Sequence, residues 1–330
     1  MANNDMKIIF MGTPEFGAII LEGLIKANYK LVLVITAPDK PVGRKQILTP
    51  SPVKVVAQKY KIPILQPEKI QEAIAEIRAT SPGLVIVAAY GQILPKEILD
   101  IPKYGCLNVH PSLLSKYRGP SPIQYAILNG EKKTGVTIML MNEKMDHGPI
   151  LAQSALIVEE DETGQSLHNK LANLGARLLM ETIPKWQRGM IKPQPQDEKK
   201  VTYTKILSRE DGKINWKKTA DEIERQVRAF NLWPESFTFW SPTKKLVGEK
   251  LLRIKILKAR VLKSTGGIAY PIGKTLVAPQ NEICVQCGKG FLPGAGDFLV
   301  VARLQLEGKK EMSSEEFLRG HPDFIGTILK

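Results

Sequence analysis

Along the first half of the chain, short apolar runs alternate with segments whose apolar residues recur at helical spacing. Residues 7–11 predict a strand, Gly12 to Pro14 a turn, and Glu15 to Lys26 an amphipathic helix. Leu31 to Thr36 predicts a second strand, and Leu84 to Ala89 is continuously apolar, as in a strand buried on both faces. Helices are expected over Val53–Tyr60, Ile70–Arg78 and Pro122–Leu128, and a strand over Gly135–Met141. Ser166 to Met180 predicts a helix with Leu167, Leu171, Leu174 and Leu178 on one face, leaving His168 at a solvated position off that stripe. Strands alternating with helices predict an α/β domain, doubly wound around a mostly parallel sheet. Between Ala37 and Pro52 lies a Pro-, Gly- and Lys/Arg-rich stretch expected as a loop without regular structure, and loops of that length in compact domains are usually functional.

The rhythm stops between Pro184 and Ser208, where Pro184, Pro193 and Pro195 interrupt mixed charges; this reads as an interdomain linker. The expected division is a catalytic domain at 1–190, a linker at 191–208 and a smaller domain at 209–330. Thr219-Ala220-Asp221-Glu222 is a capping box opening a helix with Ile223, Val227 and Phe230 on one face. Short strand-like runs follow at Leu251–Leu257, Thr275–Ala278, Ile283–Gln286 and Phe298–Leu306, predicting a small OB-like β-barrel, an architecture that often binds oligonucleotides.

A length of 330 residues suits two domains, and 43% hydrophobic with 24% charged residues is an ordinary globular composition. No apolar run approaches the length of a membrane span, and Met1 to Asp5 resembles neither a secretory nor a transit signal, so a cytoplasmic protein is expected. Net charge adds a partner: at +14, the chain calls for a polyanion, either nucleic acid or an anionic membrane surface. Between Thr243 and Lys274, nine basic residues (Lys244, Lys245, Lys250, Arg253, Lys255, Lys258, Arg260, Lys263, Lys274) face one acid, Glu249, which favours phosphate contact. Cys106, Cys284 and Cys287 give no disulfide framework. The Cys284/Cys287 pair lacks the second pair a zinc site needs, so buried structural roles are expected for all three.

Candidate chemistry centres on Gly105-Cys106-Leu107-Asn108-Val109-His110-Pro111. In an extended chain alternate residues share a face, so Asn108 and His110 project together while Leu107 and Val109 pack behind. Pro111 cannot donate to a ladder and should end the strand, leaving the pair at a carboxyl end, where open α/β sheets bind ligands. Asp146, in the loop after the Gly135–Met141 strand, leaves an end of the same sheet and can converge on them; His147 beside it is read as a bystander. An amide, an imidazole and a carboxylate supply an oxyanion donor and a proton acceptor without a nucleophile, which suits direct attack of one substrate on another. The turn Gly12-Thr13-Pro14-Glu15-Phe16-Gly17 does not support dinucleotide binding, because Pro14 stands where the second fingerprint glycine must.

Asn108-Val109-His110-Pro111-Ser112-Leu113-Leu114 with Asp146 resembles the active-site signature of the folate-dependent formyltransferases. Gly12-Thr13-Pro14-Glu15-Phe16, Pro50-Ser51-Pro52-Val53-Lys54, Ala89-Tyr90-Gly91-Gln92-Ile93-Leu94-Pro95 and Ala229-Phe230-Asn231-Leu232-Trp233-Pro234 extend the likeness, in order, over nearly the whole chain, and narrow it to the branch acting on initiator methionyl-tRNA. Two positions depart: Ser115 stands where family members often carry Pro, and His147 where a small residue is usual; neither removes a catalytic group.

The resemblance implies 10-formyltetrahydrofolate as cosubstrate and initiator methionyl-tRNA as partner, with no metal, no membrane association and a monomeric state. It places Ser112, Leu113, Leu114, Ser115, Ile93, Leu94 and Phe16 at the folate. Arg44 and Lys45, with Lys40 on the same loop, would enter or flank the acceptor stem, and Lys244, Lys245 and Arg253 would add backbone contacts from the second domain. The α-amine of the aminoacyl ester would attack the formyl carbon, with Asn108 and His110 donating to the oxyanion and Asp146 orienting His110 and assisting loss of the amine proton. The alternatives are a small-substrate formyltransferase, a formyltetrahydrofolate hydrolase and a non-enzymatic RNA-binding protein.

Overall fold

A computed structural model describes residues 5–43, 45–242, 251–263, 270–288 and 296–330; Arg44, Lys244, Lys245, Glu249 and Lys250 lie outside the described residues. The chain divides into two compact units: Met1–Ile123, Lys132–Val158 and Ser166–Ile206 form the first, and Gln124–Glu131, Glu159–Gln165 and Leu207–Lys330 the second.

The first unit runs β1 (Ile8–Gly12), α1 (Glu15–Lys26), β2 (Leu31–Ile35), β3 (Lys40–Val42), β4 (Ile47–Thr49), α2 (Pro52–Lys59), β5 (Ile64–Leu65), α3 (Ile74–Thr80), β6 (Leu84–Ala88), α4 (Lys96–Leu99) and β7 (Cys106–His110). It continues through α5 (Pro122–Leu128), which begins in it, to β8 (Lys133–Leu140), β9 (Ile150–Ile157) and most of α6 (Gly164–Gln187). Among the described residues its main sheet has the order β5-β2-β1-β6-β7-β8-β9, parallel as far as β7 and antiparallel over β8 and β9. Every residue of β1 and β6 is buried, which is why those runs read as unbroken apolar stretches. Ile9, Met11, Val85, Val87 and Cys106 pack on one face with Ile77, Tyr90, Leu94 and Ile98.

The turn after β1 brings helix and sheet together. A Cβ on Gly17 would sit 2.8 Å from the Ala88 carbonyl oxygen, so a side chain there would push α1 off the end of β6. Gly17 therefore serves close packing of the helix on the strand.

Two stretches differ from expectation. The segment over 37–52 is a hairpin, with β3 and β4 paired Lys40↔Thr49, Pro41↔Leu48 and Val42↔Ile47. Its base is held by Asp39, which pairs with Lys54 at 2.6 Å and accepts from Gln66 at 2.8 Å, while Val42, Ile47 and Leu48 are exposed. Within the expected linker, residues 194–204 are laid along the first unit. Gln194 exchanges backbone hydrogen bonds with Ile150, Arg118 N–H donates to Thr202 O at 2.9 Å, and Thr204 N–H to Arg118 O at 2.8 Å.

The second unit contains α7 (Ala220–Ala229), β10 (Ser236–Trp240), β11 (Leu252–Leu262), β12 (Thr275–Ala278), β13 (Glu282–Gln286), β14 (Phe298–Leu306), β15 (Glu311–Ser313) and α8 (Ser314–Gly320). Thr219 and Glu222 cap α7 reciprocally, as the sequence predicts, and bury Ile223 and Val227. The strands form an antiparallel sheet ordered β10-β11-β14-β13-β12, with β15 beside β14. The segment 327–330 joins its two edges. Thr327 and Leu329 bond to Thr275 and Gly273 at the β12 edge, and Lys330 exchanges two 3.0 Å bonds with Phe239 on β10. The sheet is thereby closed into a barrel around Trp216, Trp240, Val285, Leu299, Phe317 and Leu329.

Leu329 couples this closure to the core. Leu329→Ala is expected to destabilise the second unit by about 2–5 kcal/mol, read as a lower urea midpoint in tryptophan fluorescence from Trp216 and Trp240.

Candidate active site

Asn108 and His110 do share a face of β7. Asn108 is half-buried, in register with Val87 and Met139, and His110 is buried opposite Thr137. Asp146 meets them: Asn108 Nδ2 donates to its Oδ1 at 3.2 Å, and His110 Nδ1 lies 3.6 Å from the same oxygen. Its Oδ2 accepts from the Gly119 N–H at 2.8 Å. The route differs from the one expected. β8 runs antiparallel to β7, so Leu140 lies beside Leu107 and the loop leaves at the amino end of β7. It must fold back across the sheet face to deliver Asp146, whose backbone adopts φ +47°.

The histidine is oriented by main chain. His110 Nε2 is 2.9 Å from the Tyr117 carbonyl, and a carbonyl only accepts, so this nitrogen carries a proton. Nδ1 is the ring nitrogen on the Asp146 side. In the neutral ring it is a proton acceptor, and once protonated it becomes a donor with Asp146 beside it as counter-charge. The Tyr117 carbonyl thus holds one ring nitrogen of His110 while the other lies beside Asp146.

The loop after β7 is fixed from within. Thr137 Oγ1 donates to Ser112 O at 2.7 Å and accepts from Leu114 N–H at 3.1 Å, while Gln153 Nε2 donates to Leu114 O at 2.7 Å. Ser112 Oγ donates to Lys116 O at 2.6 Å. Ser112, Leu114 and Ser115 are buried, and Leu113 is half-buried. Leu94 belongs to the core, and Phe16 is buried with its ring edge-on to His168 at 5.7 Å, so that histidine is less solvated than its helix position suggests. Ile93, by contrast, is 61% exposed, on the turn after β6, and Met145 is 54% exposed beside Asp146. In the turn after β6 burial pushes the Tyr90 phenol up to about 12, and its hydroxyl has no hydrogen-bond partner among the described residues.

Comparison with known proteins identifies the family of the chain. Residues 6–183 match the family described as Formyl transferase, and residues 206–322 match Formyl transferase, C-terminal domain. Methionyl-tRNA formyltransferase from Citrifermentans bemidjiense is 44% identical over 98% of this chain and 96% of its own, and that of Bacillus cytotoxicus is 44% identical over 98% of each. The chain belongs to the methionyl-tRNA formyltransferase family. The fold of these formyltransferases extends to distant structures. An N-formyltransferase from Helicobacter canadensis, solved with folinic acid and dTDP-3-aminofucose, superposes at TM-score 0.64 with 20% identity over 90% of this chain and 98% of that one. HypX from Aquifex aeolicus, solved with tetrahydrofolic acid, gives 0.59 with 16% identity over 95% and 47%.

In this formyltransferase the basic run reads differently in three dimensions. Lys255 pairs with Glu235, Arg260 with Glu282, and Lys263 with both Asp221 and Asp297, acids drawn from outside the run. Arg253 stacks its guanidinium 3.7 Å over the Phe237 ring. Lys40 and Lys45 are exposed on the β3–β4 hairpin. Sequence reading missed Arg118, which is 1% exposed and pairs with Glu198 at 2.7 Å; Glu198 also lies 3.4 Å from His147 Nε2. The only available signal was an arginine inside the apolar-flanked Tyr117-Arg118-Gly119-Pro120 turn. His147 also contacts Asn142 through Nδ1 at 3.1 Å, so it is tied into the loop.

Among the described residues no group of three or more His, Cys, Asp or Glu is set to hold a metal. Cys106, two residues from Asn108, is buried, which pushes its thiol up to about 12; burial likewise raises Cys284 to about 11 and Cys287 to about 12. All three are protonated far above neutral pH. At about pH 8 the native protein should take up no maleimide, whereas three equivalents should add in denaturant; mass spectrometry distinguishes the two, and native labelling of Cys106 would contradict its structural role.

Proposed function

We propose that this protein transfers a formyl group from 10-formyltetrahydrofolate to the α-amine of initiator methionyl-tRNA, in the cytoplasm, with Asn108, His110 and Asp146 as its catalytic residues. The observation that carries the reading is an amide and an imidazole within 3.6 Å of one carboxylate, in a chain 44% identical to methionyl-tRNA formyltransferases over nearly its whole length.

When bound, the folate supplies an activated formyl carbon. Asn108 gives one amide hydrogen to Asp146, and its second is the donor for the carbonyl oxygen as negative charge develops there. His110 Nδ1 takes the proton lost by the attacking amine, because Nε2 is committed to Tyr117. The resulting imidazolium sits against Asp146, and Nδ1 then returns the proton to the departing nitrogen. Atoms balance: the amine exchanges a proton for the formyl group, and the folate nitrogen does the reverse.

The residues present fit a flat, partly apolar cosubstrate. Ile93 and Met145 offer exposed apolar side chains on two loops of the first unit. Leu94 and the Ser112 to Ser115 loop, whose side chains are largely buried, would contribute main-chain groups, with the half-buried Leu113 and the buried Phe16 adding apolar contact. For the tRNA, Lys40 and Lys45 on the exposed hairpin, together with Arg44, Lys244, Lys245 and Arg253, supply phosphate contacts.

Incubation with 10-formyltetrahydrofolate and charged initiator tRNA should yield formylmethionine, and absence of that product would overturn the assignment. Asn108→Ala is expected to retain binding of both substrates while turnover falls about a hundred- to thousandfold, measured by single-turnover kinetics. Arg44→Ala should weaken use of the tRNA and flatten its salt dependence, yet leave slow formylation of a minimal methionyl ester unchanged; equal loss on both substrates would place Arg44 elsewhere.

A further inference from the structure

The Asp146 carboxylate can meet Asn108 and His110 only if the turn carrying it keeps its shape. That turn is demanding: Asp146 is a non-glycine residue at φ +47°, and a Cβ on Gly148 would lie 1.7 Å from the Leu140 carbonyl oxygen. One side chain from a distant part of the chain spans it. Gln196 Nε2 lies 2.8 Å from the carbonyl oxygens of both Asp146 and Gly148. Its Oε1 accepts from Arg118 Nε at 3.0 Å. Carbonyls only accept and a guanidinium only donates, so these three contacts allow a single orientation of the amide. Arg118 is itself immobilised, buried and bonded through Nη2 to Glu198 at 2.7 Å, with its backbone paired to Thr202 and Thr204.

We propose that Gln196 is a positioning residue for catalysis, locking the Asp146–Gly148 turn so that the carboxylate faces His110 Nδ1, with Arg118 setting the orientation of the Gln196 amide. This rests on the catalytic reading of Asp146 given above. Gln196 acts through Asp146 and touches neither substrate. Its loss therefore changes the chemical step and leaves substrate affinity alone. Gln196→Ala leaves two carbonyls that water can satisfy, since the site is only partly buried. Gln196→Glu sets a carboxylate oxygen against both of them, so it should be the worse variant despite being nearly isosteric.

The test measures Gln196→Ala, Gln196→Glu and Asn108→Ala with full-length protein, charged initiator tRNA and 10-formyltetrahydrofolate. The expected result is a fall in kcat of about tenfold for Gln196→Ala and up to about a hundredfold for Gln196→Glu, with both KM values within about twofold of the parent. Urea midpoints should stay close to the parent's. Unchanged kcat in both Gln196 variants while Asn108→Ala is inactive would overturn the positioning role alone, as would a kcat loss that tracks a lowered midpoint. Full activity of Asn108→Ala would instead remove the catalytic reading on which the proposal stands.

Discussion

The Asp146 carboxylate is where four separated stretches of the chain must agree. One oxygen takes the Asn108 amide hydrogen and lies beside His110 Nδ1, the other takes the Gly119 N–H, and the peptide carbonyl behind them is held by Gln196. A partly buried carboxylate is stabilised by the donors around it, and here those donors are held by other parts of the chain. Asn108 is fixed by the β7 ladder, Gly119 by the loop that pairs with residues 202–204, and Gln196 by Arg118. The arrangement is pre-organised, which is what charge development in a transition state requires.

The parts of this site written in local periodicity were legible in the sequence. Alternation put Asn108 and His110 on one face, Pro111 ended the strand, and the Thr219/Glu222 box opened a helix at the expected residue. Contacts between distant stretches left no such mark. Nothing in Pro195-Gln196-Asp197 announces an amide that bonds two carbonyls fifty residues away, and a Pro-interrupted, charged stretch reads as a linker because its partners are main-chain groups. The β3–β4 hairpin was missed for a related reason: with Pro41 in a three-residue strand and exposed side chains on both, it carries no alternation.

Charge counted along the chain also misled in part. Nine bases against one acid over Thr243 to Lys274 implies an uncompensated field, yet folding brings Glu235, Glu282, Asp221 and Asp297 to three of those bases. Surface pairs of this kind contribute little to stability, but they reshape the potential that a polyanion meets. The net charge remains strongly positive, so a general attraction for polyanions persists, and Lys40 and Lys45 are exposed on the hairpin.

The closure of the barrel has a bearing on biosynthesis. Residues 327–330 seal the edges of β10 and β12, and a ribosome makes them after every other strand of that barrel. Until they emerge, two strand edges with unpaired N–H and C=O groups stay open, the condition under which nascent chains pair wrongly with neighbours. Among the described residues the seven strands of the first unit's main sheet all precede α6 in the chain. Vectorial synthesis thus makes the strands of the first unit's sheet available for pairing before the segment that seals the barrel has been made.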